Sequence, residues 1–164
     1  MLHLSTASRN AALNGTGFKE QFDGGFLYLF ATNSSAPANA DMALNMSTTH
    51  TEVVKISLNG LGATGLTFAV PSGGILSKTV SEDWQGAAAF DGVQSASPTL
   101  VPLFYRFCAA GDNGRGAAHA TTGYRIQGAV GGPSSGADLE IGNINIAPSF
   151  MQIVETFNWT LLGA

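Results

Sequence analysis

The chain has 164 residues, which is enough for one domain with a buried core and short for two, so we predict a single domain over residues 1–164. Charged residues make up only 11% of it, against about 25% in ordinary soluble domains, and the net charge is −4. The seven Lys and Arg residues are scattered singly, so we predict no nucleic-acid partner. No apolar run reaches the roughly 20 residues needed to cross a bilayer, and we predict no membrane partner.

A chain with so few charges either hides much of its surface in an assembly or risks association, and assembly is the simpler interpretation. The lone cysteine, Cys108, lies among aromatic residues, which is typical of a buried, inert thiol. The N-terminus has no charged segment followed by an apolar one, so we expect no secretion signal.

The first predicted element is a helix over about residues 5–22. Ser5 can cap it, and alanines recur after that residue at helical spacing. Two glycines at 15–17 interrupt the helix. Phe18 and Phe22, four residues apart, then favour one further turn with both rings on one face.

The remainder, about residues 26–164, is rich in Thr, Val, Ile, Phe and Gly, and turn residues divide it into short segments. Predicted strands cover residues 26–32, 51–58, 66–70, 75–80, 84–90, 99–108, 123–130 and pieces of 136–162. Many short strands at this spacing favour a sandwich or a barrel, without a second long helix.

The C-terminal residues 151–161 alternate apolar with polar side chains. The apolar residues that share one parity are Met151, Ile153, Phe157, Trp159 and Leu161. Period two predicts one long half-buried strand, and we expect these side chains to close the core. Upstream, the apolar parity changes between 139–141 and 144–146, and a bulge or bend at Gly142 would restore a single apolar face.

Residues 100–107 are apolar on both parities, which predicts a strand that is covered on both faces or lies against another subunit. Pro102 cannot donate to a ladder, so we expect this strand at an edge or with a bulge. Arg106 is expected to pair with a carboxylate or with backbone carbonyls, and ligand binding is the weaker alternative. The candidate core or subunit contacts are Phe26, Tyr28, Phe30, Phe104, Arg106, Phe107, Phe157 and Trp159.

Two motifs could carry chemistry, and each has a simpler interpretation. Residues 60–65 match G-x-G-x-x-G, but a β-branched and aromatic run closed by proline follows where a nucleotide site needs a helix. A glycine-rich turn is the better interpretation. Glu82 and Asp83 precede Trp84, and a tryptophan beside two acids could be a sugar platform. Neighbouring residues on a strand point to opposite faces, however, so the two acids would not converge.

No other arrangement of residues predicts an enzyme. His3, His50 and His119 are far apart and lack metal-ligand spacing, and no G-x-S-x-G nucleophile motif occurs. Asp138 and Glu140 are more simply explained as solvated or paired carboxylates. We therefore predict a protein that is not an enzyme, with no catalytic residue, no metal ligand and no cofactor.

Several blocks of the sequence remain. Residues 4–13 are LSTASRNAAL, 37–44 are PANADMAL, 104–107 are FYRF, and 136–141 are GADLEI, followed by a final apolar segment at 150–162. In this order they resemble a family of small structural proteins of tailed bacteriophages, encoded beside the major capsid protein. That family opens with an L-S-T-A-x-R-N-A helix, continues with a P-A-x-A-D-x-A-L loop and an aromatic-arginine strand, and ends with G-A-D-L-x-[IL] and a last strand.

The resemblance implies a fold of the all-β class, a jelly-roll-like β-sandwich with one short N-terminal α-helix. It implies a head decoration or cement protein on the capsid exterior, often at a threefold or local threefold position, made in the host cytoplasm. The expected partner is the major capsid protein, and the expected homo-oligomer is a trimer. Loops 33–50 and 81–97 are candidate capsid contacts, with candidate residues Pro37, Asp41, Met42, Trp84 and Phe90.

Two other functions stay open. A carbohydrate-binding jelly-roll module would need Trp84 exposed in a concave site with converging polar groups. A tail or neck subunit of the same virion would share the composition and differ only in its partner.

Overall fold

The short apolar segments between turn residues form strands in a computed structural model, which describes residues 2–118 and 122–160. The strands are β1 (His3–Leu4), β2 (Phe26–Thr32), β3 (His50–Leu58), β4 (Ile75–Ser77), β5 (Trp84–Gly92), β6 (Phe104–Cys108), β7 (Arg125–Gly131), β8 (Leu139–Glu140), β9 (Met151–Val154) and β10 (Asn158–Thr160). The helices are α1 (Thr6–Leu13) and α2 (Phe18–Phe22). The all-β, sandwich-like class with a short helical N-terminus is confirmed.

The two sheets of the described chain differ in size. The larger one has eight strands, and its main path runs β1-β7-β6-β2-β3-β5-β9 with antiparallel neighbours. Strand β8 pairs in parallel with the end of β7. Strands β4 and β10 form a separate antiparallel pair, in which Trp159 lies opposite Leu76. The chain therefore reaches the smaller sheet twice, once after β3 and once at its end.

The main core lies between one face of the larger sheet and a layer formed by α2, β4 and β10. Trp84 of β5 is fully buried there, and its ring centroid lies 5.4 Å from that of Phe68 and 5.8 Å from that of Phe107. Phe22 of α2 contacts Phe107 and Trp159 edge to face. These aromatic contacts hold the two layers together through the burial of apolar surface.

The opposite face of the larger sheet carries a second apolar cluster. It consists of Tyr28, Phe30, Leu44, Phe104 and Cys108, with Phe26, Ala36 and Met46 packed against it. The long segment 33–49 supplies part of its cover, which is why Leu44 is buried. All five residues of β6 are buried, so coverage on both faces is confirmed for this part of the predicted strand, whereas Val101 and Leu103 before it are 48% and 45% exposed.

Strand β6 is not an edge strand, and its pairing with β2 and β7 has no bulge, so both alternatives of that prediction are wrong. It lies between β2 and β7 and begins only at Phe104, after Pro102. The flanking amides do the bonding, since Leu100 donates to the carbonyl of Ile146 and Leu103 to that of Phe30. Pro102 thus sits between two bonded donors, outside the ladder, and the sheet loses nothing by it.

The C-terminal run forms two short strands instead of the predicted long one. Strand β9 pairs with β5 in the larger sheet, and β10 pairs with β4 in the smaller one. The buried parity changes between them, because Glu155 and Thr156, two of the three residues that join the strands, are both exposed. Met151 and Ile153 are therefore 46% and 53% exposed, and the prediction that they close the core is wrong.

Phe157 and Trp159 on the far side of this crossing are buried in the main core. Leu161 lies outside the described residues. Upstream, Leu139, Ile141 and Ile146 all reach the same core, although only residues 139–140 form a strand. Residues 66–70, another predicted strand, make only single bridges to neighbouring segments.

Candidate functional site

Two buried arginines on adjacent strands bind the loops that cover the outer face of the larger sheet. Arg106 of β6 is completely buried, and Arg125 of β7 is 2% exposed. We call Arg106, Arg125 and Gln127 the arginine cluster. Its partners lie in segments 37–41 and 112–116, which have no regular secondary structure and depend on side chains for their position.

Arg106 donates only to neutral acceptors. Its Nε donates to Oε1 of Gln127 at 2.9 Å, its Nη1 to the carbonyl of Gly114, and its Nη2 to the carbonyl of Asn39 at 3.4 Å. Burial, and next the charge of Arg125, lower the pKa of Arg106 to about 10. The guanidinium is still charged at neutral pH, and its hydrogen bonds to these three acceptors offset the cost of burying that charge. The expectation that Arg106 pairs with backbone carbonyls is confirmed.

Arg125 makes the ion pair that Arg106 lacks. Its Nε and Nη2 donate to the two carboxylate oxygens of Asp112 at 2.6 and 2.8 Å, and its Nη1 to the carbonyls of Gly116 and Ala40. Gln127 donates to the carbonyl of Pro37 at 2.7 Å. The bidentate pair fixes the guanidinium plane, and the cluster thereby fixes both loops.

A third arginine fastens the same region to the strands beside it. Arg115 binds Glu52 of β3 at 2.8 Å and Asp91 of β5 at 2.6 Å, while its own carbonyl accepts from the amide of Leu44. Burial raises the pKa of Glu52, and the bonds from Arg115 oppose that rise. The Glu52 carboxylate therefore binds the loop through Arg115 and is not an isolated acid–base group.

Asp41, a candidate capsid contact, caps helix α1. Its Oδ1 accepts from the backbone amide of Thr6 at 2.9 Å, and its Oδ2 accepts from the Thr6 hydroxyl at 2.7 Å. Ser5 completes the cap, since its Oγ accepts from the amide of Ser8. Carboxylates are favourable at a helix N-terminus because unpaired amides and the helix dipole meet there. The Asp41 carboxylate is thus occupied within the chain, and the adjacent Met42, 47% exposed, is the side chain presented outward.

Replacing Asp41 with alanine is expected to lower the free energy of unfolding by about 1–2 kcal/mol, because the helix loses a cap and the loop loses its bond to the helix. Asp83→Ala, at an exposed aspartate, is the matched control and is expected to change it by less than about 0.5 kcal/mol. Urea unfolding followed by circular dichroism measures both values. Equal stability of the two variants would contradict the cap.

Trp84, predicted as a capsid contact and as a possible sugar platform, has no exposed surface, and both interpretations are wrong. Its indole N–H donates to Glu82 Oε2 at 2.7 Å, so the polar atom is satisfied inside the fold. Glu82 also accepts from the amide and the hydroxyl of Thr67. Phe90 is half-buried and packs against the main core. The requirement of the carbohydrate-binding alternative, an exposed Trp84, is not met.

The G-x-G-x-x-G segment is a turn. Gly60 and Gly62 have φ of 71° and 74°, in the left-handed region that favours glycine. Leu66 then bridges to Gly25, and no helix follows in the part of the chain that the structure describes. Lys55 donates to the carbonyl of Gly62 at 2.6 Å, which closes the turn. The arrangement lacks the helix N-terminus on which a dinucleotide pyrophosphate rests.

The other side chains that could carry chemistry form neither a metal site nor a reactive thiol in the described residues. Residues 2–118 and 122–160 contain no group of three or more His, Cys, Asp or Glu side chains that could hold a metal ion. His119 lies outside these ranges. Cys108 is fully buried, and burial raises the pKa of its thiol. In the same two ranges, no helix has the length and apolar character of a membrane span.

The acids near the C-terminus bind backbone amides. Asp138 Oδ2 accepts from the amide of Ala129 at 2.9 Å, and Glu140 accepts from the amides of Gly136 and Ser134. These bonds, that of Gly136 first, lower the pKa of Glu140. Both carboxylates therefore shape the chain around β7 and β8.

The surface offers apolar side chains in place of a polar site. Large hydrophobic residues exposed by more than a third, within the described chain, are Leu13, Met42, Leu61, Val70, Ile75, Val80, Val93, Val101, Leu103, Phe150, Met151 and Ile153. Phe150, Met151 and Ile153 lie together beside a groove of about 400 Å³, lined by residues 140–143 and 150–156. Sequence reasoning missed this surface because alternation does not tell which of two strand faces is the covered one.

Comparison with known proteins finds no match: neither a protein-family model, nor a curated protein, nor a solved structure matches this chain.

Proposed function

We propose that this protein is a non-enzymatic decoration, or cement, protein that binds the outer surface of a bacteriophage head and stabilises contacts between major capsid protein subunits. One observation carries the proposal: the sequence blocks that resemble the phage family are bonded to one another. Thr6 of the first block binds Asp41 of the second, and Arg106 of the third binds the carbonyl of Asn39 in the second.

The last block belongs to the same unit. Leu139 of the GADLEI segment pairs with Val130 of β7, the strand that also carries Arg125 and Gln127. Blocks that were separate in sequence thus form one frame around a loop whose tip presents Met42. This supports a common structural purpose for the blocks, which is to hold a rigid, apolar surface in place.

Such a surface suits a protein that works by adding contacts. Burial of apolar area contributes about 25 cal/mol per Å² before the costs of association, and a small contact repeated over a whole shell becomes large. The low charge content supports this mechanism, since fewer charges must be stripped of water at the interface. We further propose a homo-oligomer, with a trimer favoured, at a threefold or local threefold position of the head.

The test mixes purified protein with heads assembled without it. We expect the protein to sediment with the heads and to raise the temperature at which they break open. A control with isolated tails from the same phage is expected to show no binding. Absence of binding to heads, or binding to tails alone, would overturn the proposal and favour a tail or neck subunit in the second case.

A further inference from the structure

The two edges of the larger sheet are treated differently. At one edge, β7 is covered by β1 at Ile126 and Gln127 and by β8 at Val130 and Gly131. Between these two short strands, the carboxylate of Asp138 accepts a hydrogen bond from the amide of Ala129. At the other edge is β9, which pairs only with β5 among the described strands. One edge is therefore closed, and the other is open.

Strand β9 has no charge and no proline to protect its open edge. Its sequence is Met-Gln-Ile-Val, and these four residues pair with β5 without a register shift; the irregular pairing of Ser149 and Phe150 with Ala88 lies just before them. Natural proteins place charges, prolines or bulges on edges that must stay free, or keep such edges short, because an unpaired strand recruits another strand. An uncharged edge flanked by exposed apolar side chains is typical of one that another chain covers.

The ladder fixes which residues of β9 would bind a new strand. The amide of Ala88 donates to the carbonyl of Phe150, so Phe150, Gln152 and Val154 direct their backbone groups toward β5. Hydrogen-bonding direction alternates along an antiparallel strand, and Met151 and Ile153 therefore direct theirs outward. Their side chains are the half-exposed ones, so backbone and apolar contacts are offered by the same two residues.

The polar groups beside this edge are acceptors. Gln152 is 4% exposed and lines the groove; its Nε2 donates to the carbonyl of Ile153, which fixes the amide orientation and leaves its buried Oε1 without a partner. A buried acceptor without a donor is costly and rare. Glu155 is exposed, and its carboxylate makes no hydrogen bond or ion pair within the described residues. No Lys or Arg is among the described residues that line the groove.

A second copy of the chain does not suit these groups. Head-to-tail pairing would need a free edge on β7, and that edge is already covered. Pairing of two β9 strands would bring together two sets of acceptors, each with an unpartnered Gln152 Oε1 and a Glu155, and no donor for either. The groove instead matches a strand that carries a cationic donor.

We propose that β9 and the adjoining groove bind one extended strand of the major capsid protein, with apolar side chains at alternate positions and a Lys or Arg beside Gln152 and Glu155. The strand adds to the larger sheet next to β9 and covers Met151 and Ile153. This inference rests on the proposed function and names the segment type that makes the contact. Main-chain bonds supply the register, and the cation supplies the choice of partner.

The experiment compares three variants for binding to heads assembled without the protein. Ile153→Glu places a charge on the open edge, and Glu155→Lys reverses the charge beside it; each is expected to weaken binding by about tenfold or more. Leu13→Glu adds the same charge at a residue of α1 that is 86% exposed and does not line the groove, and it is expected to bind as the wild type does. Unchanged thermal unfolding checks that the variants are folded.

Hydrogen exchange supplies an independent readout. On binding to heads, the amides of Met151 and Ile153 in the wild-type protein are expected to become protected. Wild-type affinity in both edge variants, or unchanged exchange of these amides, would overturn the strand proposal and leave the decoration function standing. Failure of the wild-type protein to bind heads would overturn both. A wild-type dimer that Ile153→Glu splits into monomers would assign β9 to a second copy and also overturn it.

Discussion

Replacing Trp84 with alanine is expected to lower the free energy of unfolding by about 3–5 kcal/mol, the range for deleting a large aromatic side chain from a core. The ring is fully buried and lies against Phe68, Phe107 and Phe157, with centroid distances of 5.4, 5.8 and 5.7 Å. The change leaves a cavity where both layers meet and removes the indole donor of Glu82. Small domains have about 5–15 kcal/mol of stability in total, so the loss is large.

Two variants separate the parts of this effect. Trp84→Phe keeps an aromatic ring and removes the N–H, so it is expected to cost less than the alanine change. Val80→Ala, at a side chain that is 94% exposed, is expected to cost less than about 0.5 kcal/mol. Guanidinium unfolding followed by far-UV circular dichroism, which does not depend on tryptophan fluorescence, measures the stability of all three variants. A Trp84→Ala variant as stable as Val80→Ala would contradict the burial of this ring.

Replacing Arg106 with methionine is expected to lower the free energy of unfolding by about 3–5 kcal/mol, because three buried neutral acceptors lose their donor. Methionine fills most of the volume and supplies no donor. The side-chain oxygen of Gln127 and the carbonyls of Gly114 and Asn39 then lose their partner inside the protein. Each unsatisfied buried acceptor costs about 1–3 kcal/mol, and water entering the site relieves part of that cost.

The segments that loosen in the Arg106→Met variant are as informative as its loss of stability. We expect limited proteolysis to cut the Arg106→Met variant first within 37–44 or 109–118, because the arginine binds both segments. Arg9→Met is the matched control, since Arg9 is exposed on α1, and it is expected to leave the cleavage pattern unchanged. Wild-type stability together with wild-type cleavage in Arg106→Met would show that the loops are held by other contacts.

Signals that act over a few residues made part of the fold predictable. Ser5 as the cap of α1, the interruption at 15–17 and the short turn at Phe18–Phe22 are all present in the structure. Strand β2 has the predicted bounds, 26–32, because glycines precede it and a polar segment follows. Capping, turn formation and strand propensity depend on neighbouring residues, and a single sequence records them.

Features that depend on distant partners were not predictable in the same way. The alternation at 151–161 fits a strand in either orientation, and only its pairing with β5 shows that Met151 and Ile153 face outward. In the sequence, Trp84 beside two acids resembles a surface residue. In the structure, it is in the interior and its N–H donates to Glu82. Pro102 indicated an edge strand or a bulge, although the ladder begins after it. In each case the sheet partner, remote in sequence, decided the outcome.

The candidate site shows the same division. The apolar surroundings of Arg106 in the sequence predict that it binds a carboxylate or backbone carbonyls. They do not predict which residues supply these carbonyls. Asp41 was noted as a contact because it lies in a polar loop, and the structure instead joins it to Thr6, 35 residues away. The open edge at β9 was not foreseen, since an exposed edge is defined by which strand is missing beside it.

The proposed decoration function is tested by electron microscopy of phage particles assembled with this chain. If the proposal holds, density that fits this fold lies on the outer surface of the head, at a threefold or local threefold position, in contact with the major capsid protein. Density for the chain on the tail or the neck, with none on the head, would contradict it.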